Sequence, residues 1–139
     1  MGVLPDDWTL PQPSDLTRDW FTSASLAVQT CTACATHQHP PEEICHQCGS
    51  MSFTSTEMTP TGTVYSYTVA HYPVHKALAD AVPYTVVLIS LDDAPEIRVV
   101  GNMVDIGHDQ VRIGMAVSAV WEERTVEDET IQLLFWTAV

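Results

Sequence analysis

From residue 51 onward, apolar and polar positions follow one another in short β-type runs, two of them with the period of two that marks half-buried strands. The runs at 51–58, 63–70, 84–91, 96–104, 115–124 and 130–137 are rich in Val, Thr, Tyr and Ile. Breakers divide them: Pro60-Thr61-Gly62, Asp92-Asp93-Ala94-Pro95, Gly107-His108-Asp109 and Glu127-Asp128-Glu129. Thr63, Tyr65, Tyr67 and Val69 share one strand face, with Tyr65 and Tyr67 read as barrel packing, and Met115, Val117, Ala119 and Trp121 share another. The run 84–91 is apolar on both faces, which suits a central strand covered on both sides. Five or six short antiparallel strands in about 85 residues must close on themselves or expose their edges. A small Greek-key barrel of the OB type satisfies that constraint, with an SH3-like barrel as the next choice.

The first 50 residues follow a different pattern. Residues 1–13 hold three prolines with Trp8 and Leu10, which predicts an extended arm. Ser14 as N-cap, with Leu16, Trp20 and Phe21 at helical spacing, predicts a short amphipathic helix. A strand at 26–30 then runs into the first cysteine. Within the barrel, the connection at 71–83 is too long for a hairpin and reads as carrying one helical turn. The expected division is therefore an arm and helix at 1–25, a ribbon at 26–50 and a barrel at 51–139.

Charge removes several functions. Eighteen acidic against five basic residues give a formal charge of -13, which repels phosphate backbones and anionic lipid, so neither nucleic acid nor membrane is expected as a partner. The longest nearly uncharged run, 82–91, is far shorter than the roughly 20 residues a spanning helix needs. Residues 1–10 carry Asp6 and Asp7 and no basic segment, so the expected location is the cytoplasm. The Gly-rich phosphate loops and the nucleophile elbow G-x-S-x-G are not found in the sequence.

All four cysteines fall in one window, as Cys31-x2-Cys34-x10-Cys45-x2-Cys48. Two Cys-x2-Cys knuckles facing across a short loop have the spacing of a tetrahedral zinc site. A secreted two-disulfide module or a redox pair fits less well, because disulfide frameworks spread their cysteines and redox sites use one motif at a strand-to-helix junction. Four thiolates fill the coordination sphere, so the ion, one Zn2+ per chain, is structural. His37, His39 and His46 are near enough in sequence to compete as ligands but read as loop or supporting residues.

The succession of helix, four-cysteine ribbon and barrel resembles the zinc-ribbon/OB-fold family (domain of unknown function 35) associated with acyl-CoA enzymes. The resemblance runs from Asp15 onward and rests on Thr17-Arg18-Asp19-Trp20-Phe21, on 26–34, on Pro40-Pro41 before Cys45-His46-Gln47-Cys48-Gly49-Ser50, and on 62–69. It continues through His71, Val82-Pro83-Tyr84, Leu91-Asp92-Asp93 and 111–117. The chain departs from the family at Ala35, Glu42 and His46, where Gly, Arg and Pro are common, and at Tyr72, where a basic residue often follows the histidine.

The resemblance implies a mainly β fold with a short N-terminal helix, a rubredoxin-like zinc ribbon and an OB barrel. It also implies a non-catalytic accessory subunit of a hetero-oligomer, docked on a thiolase-superfamily acyl-CoA enzyme that performs condensation, thiolysis or retro-aldol cleavage, as in steroid side-chain degradation. A hotdog-type enoyl-CoA hydratase as partner, or a free-standing acyl-CoA hydrolase, are the alternatives. Contact with acyl-CoA is expected to be indirect, the partner supplying most phosphate contacts, because cations are scarce here. No catalytic residue is assigned. Candidates for facing the partner or its substrate channel are Trp20 and Phe21, the cluster His71, Tyr72, His75 and Lys76, and Arg112, which is expected to bond a backbone carbonyl or a neighbouring subunit. The apolar stretch 133–136, with side chains on both faces, is read as a further surface for another subunit.

Overall fold

The structure, a computed structural model, describes residues 4–139, without the side chain of Val126. The first three residues of the expected arm lie outside the described residues. In chain order the elements are α1 (Arg18–Thr22), β1 (Leu26–Cys31), β2 (His37–Gln38), β3 (Phe53–Met58), β4 (Thr61–Ala70), β5 (Tyr84–Leu91), β6 (Arg98–Met103), β7 (Ala116–Val126) and β8 (Glu129–Ala138). One 3-10 turn, Lys76–Leu78, supplies the helical turn expected in the connection between β4 and β5.

The last five strands close into a barrel in the order β4-β5-β6-β8-β7. The connectivity is antiparallel throughout, except that β6 meets β8 in parallel at Met103 and Trp136. That order, with its single parallel closure, is the OB arrangement. Val87, Ile89, Leu91, Val99, Val117 and Trp136 fill the interior and are at most 1% exposed. The indole of Trp136 lies over Gly101, where a Cβ would come within 2.9 Å of its Cδ1, so a side chain at 101 would displace the largest buried residue. Its Nε1 has no hydrogen-bond partner.

Several expectations are corrected by the packing. Residues 14–17 form a turn, in which the Thr17 N–H bonds the Ser14 carbonyl, and the helix begins only at Arg18. The strand at 51–58 forms as β3, but it pairs along its whole length with β1 in a separate sheet ordered β2-β1-β3. A bulge between Val64 and Ser66 breaks the alternation of β4. Val64 is buried and Tyr65 turns outward beneath the Arg98 guanidinium, 3.8 Å from its ring centroid, while Tyr67, opposite the buried Val87, is 39% exposed. Strand β5 is fully covered on one face only. The second apolar face of β8, read as a subunit surface, is covered by the chain itself: Leu4, Leu10 and Phe21 pack on Val104, Ile131, Leu133 and Phe135.

The two sheets share apolar residues. Leu26 and Val28 of β1 and Met58 of β3 belong to the same core cluster as Val87, Ile89 and Trp136. One face of the ribbon sheet is thus continuous with the barrel core. Among the described residues, no helix is long and apolar enough to cross a membrane.

Candidate functional site

The cysteines sit on two knuckles closed by the same pair of main-chain bonds. Cys31 donates its N–H to the Thr36 carbonyl while its own carbonyl accepts from Ala35, and Cys45 does the same with Ser50 and Gly49, at 2.8–2.9 Å. Each turn needs a left-handed residue four places after its first cysteine. Gly49 (φ +79) meets the demand freely, whereas Ala35 (φ +64) carries a Cβ there at a cost of about 1 kcal/mol.

The turns bring the sulfurs together. Sγ of Cys31 lies 3.6 Å from that of Cys48, Sγ of Cys34 lies 3.7 Å from that of Cys45, and all four are within 4.8 Å of one another. A tetrahedron with Zn–S bonds of about 2.3 Å has edges of about 3.8 Å, so the quartet fits zinc, and its spacing is well beyond the roughly 2 Å of a disulfide. The thiols are not equivalent. The Thr36 hydroxyl, then its amide, lowers Cys34 to about 6. The Cys34 amide lowers Cys31. At Cys48 the Ser50 amide also lowers the thiol, but the sulfurs of Cys34 and Cys31 outweigh it and push the group up to about 12. Amides aimed at the sulfurs favour the thiolates that zinc requires.

The loop at 39–46, which carries the second knuckle, is held by two buried glutamines. Gln38 Nε2 donates to Gln29 Oε1 at 2.7 Å, Gln29 exchanges bonds with the N–H and carbonyl of Glu42, and Gln38 Oε1 accepts from the N–H of His46 and meets its Nδ1. Sequence reading missed this clasp, because glutamine is ordinarily exposed and nothing local marks Gln29 and Gln38 as buried. The three nearby histidines are engaged elsewhere: His37 Nδ1 with the Thr30 hydroxyl, His46 with Gln38, and His39 against the ring of Trp20 at 4.3 Å between centroids. Burial pushes His39 down to about 4.

The remaining candidates do not form one site. Trp20 is half-buried on His39 and the main core, and Phe21 packs under β8, so the pair anchors α1. Tyr72, 88% exposed, projects from the connection between β4 and β5. On the same connection His75 Nδ1 accepts from the Ala77 N–H to cap the 3-10 turn that Lys76 begins, and its ring meets Trp8. His71 faces His108 edge-on at 5.7 Å, a pairing the sequence did not announce. Arg112 donates to the backbone carbonyls of Asp109 and Val111, one of its two expected roles.

A four-sulfur ribbon sharing its apolar face with an OB barrel defines a class of zinc-clasped scaffold with no open position on the ion. The chain belongs to the zinc-ribbon and OB-fold family of ChsH2 and the DUF35 proteins. Residues 25–54 match the rubredoxin-like zinc ribbon domain of ChsH2, and 55–122 match its C-terminal OB-fold domain. A protein of Thermomonospora curvata called a probable enoyl-CoA hydratase alpha subunit is 42% identical over 123 residues, 84% of this chain and 37% of that protein. The chain thus spans little more than a third of that relative. A DUF35 domain-containing scaffold protein of Methanocaldococcus jannaschii is 34% identical over 99 residues, 70% of this chain and 67% of that one. Among solved structures, a chain of the Ltp2-ChsH2(DUF35) aldolase superposes with a TM-score of 0.77 at 36% identity, covering 93% of this chain and 98% of that one.

Proposed function

We propose that this chain is a non-catalytic accessory subunit that docks on, and supports, a thiolase-superfamily acyl-CoA enzyme of the aldolase type. The observation that carries the reading is the likeness over 98% of a chain of the Ltp2-ChsH2(DUF35) aldolase. Bound zinc supplies four metal–sulfur bonds that fix the knuckles. Cys31, Cys34, Cys45 and Cys48 leave the ion no vacant position at which a water could be activated. Trp20 and Phe21 are spent on internal packing, so the side chains left to face an enzyme's substrate channel are His71, Tyr72, His75, Lys76 and Arg112, which are all exposed. With only five cations in the chain, the CoA phosphates fall to the partner.

The test is co-expression of the tagged chain with a thiolase-superfamily aldolase. The expected result is co-purification at fixed stoichiometry and acyl-CoA turnover by the pair, with none by the isolated chain. Turnover by the isolated chain overturns the accessory role. A second reading, support of an enoyl-CoA hydratase, is favoured by the 42% identity to the Thermomonospora curvata protein. It predicts capture of a hydratase subunit instead of the aldolase in the same experiment.

A further inference from the structure

The ribbon sheet ends in an open edge. Its order is β2-β1-β3, so among the described residues β3 is paired on one side only. Which groups face out follows from the ladder. The main chain of Cys31 bonds Thr36 and Ala35, on the β2 side, while the Thr32 N–H bonds Ser52, on the β3 side. Alternation along β1 then turns Leu26, Val28 and Thr30 toward their partners Met58, Thr56 and Thr54. The intervening residues Phe53, Ser55 and Glu57 must therefore direct their N–H and C=O groups away from β1, into the open edge. Natural sheets blunt such an edge with charged side chains, lysine above all, with proline, a bulge, a covering helix or loop, or very short length, and of these the strand carries one charge, Glu57. Here the strand is six residues, Phe-Thr-Ser-Thr-Glu-Met, in unbroken register, with no lysine or proline.

The surroundings say what the edge would accept. A groove of about 470 Å3 lies between the α1 segment and the sheet face formed by Ala27 and Gln29 of β1 and Phe53 and Ser55 of β3, and reaches the open edge at β3. Asp15 and Asp19 line it, Asp19 accepting from the Ser55 hydroxyl at 2.6 Å, beside the exposed apolar side chains of Leu16 and Met51. Glu57 adds a third carboxylate on the strand itself. We infer that the β3 edge takes an extended basic segment of the partner protein as a fourth strand. Its main chain would pair with Phe53, Ser55 and Glu57, its Lys or Arg side chains would meet Asp15, Asp19 and Glu57, and an apolar residue would cover Leu16 and Met51. A second copy of this chain fits poorly, because each copy carries a charge of -13 and would set the same three carboxylates against themselves. This inference deepens the accessory-subunit reading and rests on it for the source of the strand.

Amide hydrogen exchange of the zinc-loaded chain tests it, with the acetylated, amidated hexapeptide Lys-Val-Arg-Val-Lys-Val as probe. Saturating peptide is expected to slow exchange at Phe53, Ser55 and Glu57 by about tenfold or more, since a paired amide opens less often than a solvated one. Ser55→Pro, which removes an outward N–H and no ladder bond, abolishes the protection, and Ser55→Ala keeps it. A peptide N-methylated at alternate residues leaves the protein untouched and also fails to protect. Unchanged exchange at millimolar peptide, equal protection by the N-methylated peptide or by an acidic analogue, or an edge already protected in a self-associated dimer overturns the inference. Adding the co-purified enzyme separates the two readings. A complex whose edge amides exchange as in the free chain removes the inference and leaves docking intact, whereas protection by peptide with no enzyme captured does the reverse.

Discussion

The barrel and the outer half of the ribbon stay folded for different reasons. The barrel excludes water from Val87, Ile89, Leu91, Val99, Val117 and Trp136, and its closed ladder needs no further fastening. The ribbon gives only Leu26, Val28 and Met58 to that core. Beyond them lie Gln29, Thr30, Gln38 and four sulfurs, polar or metal-seeking groups that gain little from leaving water. The sheet is thus held at its inner end by apolar burial and at its outer end by zinc and the amide clasp. Adjacent stretches of one strand can depend on unrelated forces.

The strongest way to break the comparison is to remove the metal. Cys45→Ser, or chelation, should forfeit zinc-binding free energy on the order of 10 kcal/mol and expose residues 29–50 to rapid amide exchange, while Val87, Ile89 and Leu91 stay protected. Retention of one zinc per Cys45→Ser chain would refute the all-cysteine site. The converse lesion, Ile89→Ala at a fully buried position, should cost about 3 kcal/mol in urea unfolding of the barrel and leave zinc content at one per chain. Loss of zinc in parallel would show that the outer ribbon has no separate support.

Acid probes the seam between the two halves. Because burial lowers His39 to about 4, the folded chain resists a proton that the unfolded chain binds from about 6.5 downward. Its stabilising share is complete above about pH 6.5 and is lost as pH falls toward 4, a change of about 2 kcal/mol once the partial exposure of the ring is allowed for. Urea midpoints at about pH 7.5 and about pH 4.5 should converge in His39→Gln relative to the parent, and identical pH slopes would contradict this. The smallest effect is local to a knuckle. Ala35→Gly relieves the left-handed alanine and should tighten zinc by about 0.5 kcal/mol, roughly twofold in competition with a chromogenic chelator.

Much of this contrast was legible in the chain. The cysteine spacing identified the metal ligands because tetrahedral sulfur ligation demands those intervals. The strand runs identified the barrel because period two and its breakers are local signals, as at Met115, Val117, Ala119 and Trp121. What stayed hidden depended on partners distant in sequence. Nothing local tells that the strand ending in Met58 pairs with β1, since a strand carries no mark of its neighbour. Tyr65 was placed inward because alternation alone does not say which face is buried: Gly62 and Val64 turn in, Thr63 and Tyr65 turn out, and the bulge at Val64/Ser66 shifts the register only beyond them. The second face of β8 invited a foreign subunit, but Leu4 and Phe21 reach it from more than 100 residues away. The glutamine clasp likewise joins β1 to a loop 13 residues on.

The barrel closes through β8, whose main chain is bonded at Trp136 to Val104 at 2.8 Å. On a translating ribosome the ribbon strands, complete at Met58, emerge about 80 residues before that closing strand, a wait of roughly 4–16 s at ordinary elongation rates. During that interval Leu26, Val28 and Met58 have no barrel to sit on. Metal capture by the nascent chain can close the knuckles in that interval, but it covers none of these three side chains, so the apolar face of the ribbon stays bare until the barrel is made.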